Sequence, residues 1–104
     1  MTNKEPLAPP RHIPAGFGWI DHRFLRDGHI RLRTRNGLAL YLLLVLAADR
    51  QGVSFYGDRL IRHILGFGEA EFEEAREELV HARLVAWSRP VYQVLELPGR
   101  EAAR

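Results

Sequence analysis

An unbroken apolar run from Leu38 to Ala48 constrains this chain more than any other feature of its sequence. Crossing a bilayer takes about 20 apolar residues, and this run is far shorter. It suits a helix inside a small protein. Thr34 or Asn36 can cap that helix by accepting a backbone N–H from its first turn, and Arg50-Gln51-Gly52 supplies a turn signal after about Asp49. Apolar side chains surround the helix almost completely, so it is expected at the buried centre of the domain. A chain of 104 residues fits one domain built around such a core.

Shorter elements are expected on either side. Phe17, Trp19 and Ile20 form an aromatic-rich stretch suited to a strand laid against a sheet. Asp21 can cap a short helix from His22 to Asp27, with Phe24 and Leu25 facing inward and Gly28 stopping it. In His29 to Arg35, Ile30, Leu32 and Thr34 alternate with His29, Arg31, Arg33 and Arg35. If extended, this segment places all its basic residues on one face.

Beyond the central helix, Val53 to Tyr56 is β-prone, and Gly57 or Asp58 starts a helix whose apolar face is Leu60, Ile61, Ile64 and Leu65. Gly66-Phe67-Gly68 is a tight break. A third helix follows from about Glu69 to Arg83, with Phe72, Ala75, Leu79 and Ala82 as its inward stripe. The period then changes from helical to alternating. Leu84 to Trp87 and Val91 to Leu97 read as two strands joined by Ser88-Arg89-Pro90, which makes a hairpin. The proline-containing stretch 1–16 has no hydrophobic period and is expected as a flexible arm, 17–97 as the folded domain, and 98–104 as a polar tail.

Composition removes several classes of function. With 46% hydrophobic and 27% charged residues the chain is globular rather than disordered. It has no cysteine, so disulfides and thiolate metal sites are excluded. No apolar signal-peptide core follows Met1 to Pro10, and a cytoplasmic protein without membrane contact is expected. The histidines show no HExxH-type spacing, and Asp21-His22 has no matched serine or cysteine nucleophile. Gly66-x-Gly68 lacks the third glycine and preceding strand of a nucleotide loop. Neither an enzyme nor a cofactor is expected. Net charge is +2, but residues 1–52 hold eight Lys/Arg against four Asp/Glu, whereas 53–104 hold seven against nine. Such asymmetry suggests an acidic partner for the first half.

The succession Asp58–Leu65, Gly66–Gly68, Glu69–Arg83 and Leu84–Leu97 resembles a winged helix-turn-helix DNA-binding domain: two helices, a tight glycine-containing turn, then a hairpin wing. The expected fold is mainly α with a small β-hairpin. More closely, GWIDHRFLRDGHIR (Gly18 to Arg31), ALYLLLVLAADRQGVSFYGD (Ala39 to Asp58) and RPVYQVLELP (Arg89 to Pro98) look like small bacterial helix-turn-helix proteins, some associated with mobile elements. The layout is also similar to the N-terminal domains of bacterial replication initiators. The resemblance implies double-stranded DNA as partner, in transcription regulation or replication, with the second helix of the motif in the major groove and the wing on phosphates.

That second helix departs from the pattern. It carries Glu69, Glu71, Glu73, Glu74, Glu77 and Glu78 against Arg76 and Arg83. Glutamates in its first turn suit the positive end of the helix dipole, but carboxylates oppose approach to a polyanion. Phosphate contacts are therefore expected first from Arg31, Arg33 and Arg35, then from Arg59 and Arg62 with His63 beside them, Arg76, and Arg89 at the wing tip. Arg76 could instead pair with Glu73 or Glu77. In the last strand Val91, Gln93, Leu95 and Leu97 share one face and Tyr92, Val94 and Glu96 the other. Such a strand motivates a homodimer through the hairpin and the Phe17–Ile20 strand, with Trp19, Trp87 and Tyr92 as core or dimer contacts. A competing expectation keeps the fold and makes the acidic helix a docking surface for a protein partner without DNA.

Overall fold

A computed structural model describes residues 7–12 and 15–99; the expected arm 1–16 and tail 98–104 thus fall partly outside the described residues. Among the described residues four helices dominate, and a three-stranded antiparallel sheet completes a mixed α/β fold. The elements are α1 (Arg23–Arg26), a 3-10 turn (Ile30–Leu32), α2 (Arg35–Ala47), β1 (Val53–Ser54), α3 (Asp58–Leu65), α4 (Glu69–His81), β2 (Val85–Ser88) and β3 (Val91–Val94). No helix among the described residues is long and apolar enough to cross a membrane.

α2 begins where the sequence has its cap. The Thr34 hydroxyl accepts the Gly37 N–H at 2.9 Å, satisfying one of the four donors that a helix start leaves free. Leu40, Tyr41, Leu44 and Val45 lie on its buried side, packed with Phe24, Ile61, Phe72, Ala75, Leu79, Leu84, Val85, Tyr92 and Leu97. The helix is central on this side only. Leu42 and Leu46 face outward, so an apolar circumference does not translate into complete burial.

Two chain reversals set α4 against its neighbours. Gly66 ends α3 with φ +69°, a left-handed conformation that costs glycine little. The Phe67 N–H then returns to the Arg62 carbonyl at 3.0 Å. At the start of α4 the Gly68 N–H donates to Glu71 Oε1 at 2.7 Å, the half of a capping box that needs no N-cap side chain. At its end the N–H groups of Arg83 and Leu84 donate to the carbonyls of Val80 and Leu79, both at 3.0 Å. This is a Schellman ending, its apolar contact made by Leu79 and Leu84, and its left-handed position is filled by Arg83 at φ +63°.

The strands are ordered β1-β3-β2, with Val53 opposite Gln93 and Trp87 opposite Tyr92. Gly52 admits this order. Its φ is +83°, and a Cβ there would stand 2.6 Å from the Val94 carbonyl oxygen.

Several expectations are corrected. Phe17 to Ile20 forms no strand, and β3 is the middle strand of the sheet, with β2 at one edge. β3 also stops at Val94, although Leu97 remains buried. Leu25 points outward because α1 is a single turn with room for one inward side chain, Phe24. On α3, Ile61 is buried while Leu60 and Ile64 are exposed, since the helix touches the core along a narrow line.

Candidate functional site

The basic segment before α2 is not extended. Leu32 and Arg33 donate their N–H groups to the carbonyls of His29 and Ile30, at 3.2 and 3.3 Å, and close the 3-10 turn. A turn of about three residues has no period of two, so the common basic face dissolves. His29 turns inward and stacks on Phe24, with ring centroids 6.1 Å apart. Arg31 and Arg35 remain exposed. Arg33 lies against α4, its Nη1 3.5 Å from Glu78 Oε2.

Glu78 organises this corner. Its carboxylate accepts the Thr34 N–H at 2.9 Å and the Thr34 hydroxyl as well. The negative charge therefore sits at the positive end of the α2 dipole. Gly37 makes room for it, since a Cβ at that position would lie 2.5 Å from Glu78 Oε1. Nothing distinguishes Glu78 among its neighbouring glutamates in the sequence. The readable sign was Gly37, a poor helix former in the first turn of a helix, which marks a close approach.

A second set of contacts joins α3, α4 and the hairpin. Arg76 pairs with Asp58 at 3.3 Å rather than with Glu73 or Glu77, and its guanidinium lies 3.7 Å from the centre of the Trp87 ring and 5.1 Å from that of Phe72. Tyr92 donates its hydroxyl proton to the other Asp58 oxygen at 2.7 Å. Burial is the first cause that pushes the Tyr92 phenol up to about 12, and the Asp58 carboxylate adds to it. Arg89, at the hairpin tip, places its guanidinium 5.6 Å from the Trp87 ring centre.

The remaining basic candidates are on α3. Arg59 and His63 are exposed, and Arg62 is half-buried with its Nε donating to the Phe67 carbonyl at 3.4 Å. Of the seven arginines singled out in the sequence, Arg33 and Arg76 have internal ion-pair partners, whereas Arg31, Arg35, Arg59, Arg62 and Arg89 have none among the described residues. On α4, Glu69, Glu73, Glu74 and Glu77 are exposed and likewise without ion pairs.

A groove of about 700 Å³ lies between Phe17 to Asp21, the Tyr41 and Val45 side of α2, and the chain after β3. At its edge Asp21 accepts both Nε and Nη2 of Arg23, at 3.0 and 2.7 Å, which holds its carboxyl down to about 2. Among the described residues no three His, Asp or Glu side chains are grouped to hold a metal ion.

Comparison of the chain with protein families, with curated proteins and with solved structures finds no match.

Proposed function

We propose that this chain is a winged helix-turn-helix module that binds duplex DNA as a homodimer, in transcription control or replication of a bacterial element. The observation that carries the reading is the order of elements: α3, a glycine turn and α4 are followed at once by a hairpin, and β1 closes the sheet against β3. Arg76 between Asp58 and Trp87 gives the hairpin a definite orientation toward α4. Phosphate contacts fall to Arg31, Arg59, Arg62 and Arg89. The acidic face of α4 makes base readout by that helix small.

Affinity for a DNA duplex over a salt series tests this. Each neutralised phosphate contributes about −0.9 to the slope of log affinity on log salt, so four arginines set a limit of about −3.6 per protomer. A measurable slope within that limit is expected. Absence of binding at low salt overturns the reading.

One observation favours a second reading, in which the module docks a basic protein partner: among the described residues Glu69, Glu73, Glu74 and Glu77 along α4 have neither an ion pair nor a side-chain hydrogen bond. Replacing Glu69, Glu73, Glu74 and Glu77 by Gln separates the two. DNA affinity rises under the first reading, because like charge near the phosphates is removed. Under the second, DNA affinity is absent before and after the change.

A further inference from the structure

We propose that two copies of this chain pair through the outer face of α2 and the Phe17–Trp19 segment beside it. This rests on the homodimer part of the reading above and not on DNA. α2 is apolar all round, and such a helix is stable in water only when every side is covered. One side meets the core, and on the other Leu42 and Leu46, one turn apart, are 51% and 61% exposed. The N-terminal segment runs along the edge of that side, between Leu46 and Val45. A Cβ on Gly18 would lie 3.3 Å from Leu46 Cδ2, so the chain passes directly against the helix there. Phe17 and Trp19, on either side of that contact, are 65% and 73% exposed.

The area suffices for a dimer. At those exposures the two aromatic side chains present about 300 Å² of apolar surface, and the two leucines add on the order of 100 Å². Two copies then bury about 800 Å² of apolar area, which at the apolar fraction of homodimer interfaces corresponds to about 1,200 Å² in all. A specific interface needs roughly 1,000 Å².

Charge selects a second copy as the occupant. The face is uncharged in its middle, with exposed Arg35 at the start of the helix and exposed Asp49 just past its end. A two-fold axis crosses the helices antiparallel and brings Arg35 of each copy toward Asp49 of the other, as an isologous contact requires. Another exposed apolar pair, Leu60 and Ile64 on α3, is flanked by Arg59 and His63. Self-pairing there sets like charges together.

Sedimentation equilibrium of the full chain without DNA provides the test. The wild type is expected at twice its 12.0 kDa mass. Leu42→Glu with Leu46→Glu is expected to give a monomer that keeps its helical circular dichroism and cooperative melting. Trp19→Ser, outside any helix, weakens association about tenfold or more, which keeps the test decisive if the helix variant fails to fold. Leu60→Glu with Ile64→Glu leaves the dimer intact. A wild type that stays monomeric at its highest soluble concentration overturns the proposal. So does a folded α2 variant that still dimerises, or a Trp19 variant that associates as the wild type does. Loss of the dimer in the α3 variant alone moves the interface elsewhere and overturns it too. Failure of DNA binding is read separately, as the salt slope.

Discussion

Single residues in this chain carry conformational and ionic costs that substitution can expose. Arg83 occupies a left-handed position that most helices give to glycine, with φ +63°. A side chain there costs about 1 kcal/mol in backbone strain. Arg83→Gly is therefore expected to raise stability by roughly 0.5 kcal/mol once the greater entropy of unfolded glycine is subtracted. The midpoint of a urea transition with unchanged slope reads it. Tyr92 offers a pH-dependent case. Its phenol ionises at 10.0 when unfolded and about 12 when folded, so its contribution is intact below pH 10 and lost as pH rises through 12. Tyr92→Phe should remove that alkaline loss and cost about 1 kcal/mol at neutral pH for the hydrogen bond to Asp58. Denaturation at a series of pH values between these limits shows whether the two curves converge.

At the scale of elements, the start of α2 is held by a side chain from another helix. Glu78 of α4 receives both the N–H and the hydroxyl of Thr34, with Arg33 beside it. Glu78→Ala leaves those donors to solvent and is expected to cost about 2 kcal/mol. It should also speed hydrogen exchange in the first turn of α2 while leaving the last turn protected. Equal acceleration along the whole helix would show that Glu78 acts on global stability instead of on the cap. Gly37→Ala approaches the same corner from the other side, because the added methyl displaces the carboxylate. Its exchange pattern should match that of Glu78→Ala.

For the whole molecule, what decides binding to a polyanion is which charges stay free after folding. Arg33 and Arg76 are held in ion pairs, and the acidic outer face of α4 is not neutralised by either. If the module binds duplex DNA, Arg31→Ala reduces the salt slope by up to about 0.9. Arg33→Ala should leave that slope unchanged and lower stability, as read from thermal melting. A slope that responds to Arg33 and not to Arg31 would place the interface on the opposite side of the 3-10 turn.

The features legible in the sequence are those with local causes. The helical period of α2 and α4, the Thr34 cap, the break at Gly66 and the alternating hairpin depend on neighbours within a turn or a strand pair, and each appears near its expected position. The basic segment misled because alternation of charge and apolar residues is also what a 3-10 turn leading into a cap can carry. The destination of individual charges lay beyond the sequence. Glu78 meets Thr34 across 44 positions and Arg76 meets Asp58 across 18, and such pairs form only where packing brings two helices within a few ångströms. Exposure followed the same logic. The apolar circumference of α2 was written in its residues, but that one side of it faces outward was decided by how few elements a chain this small can pack around it.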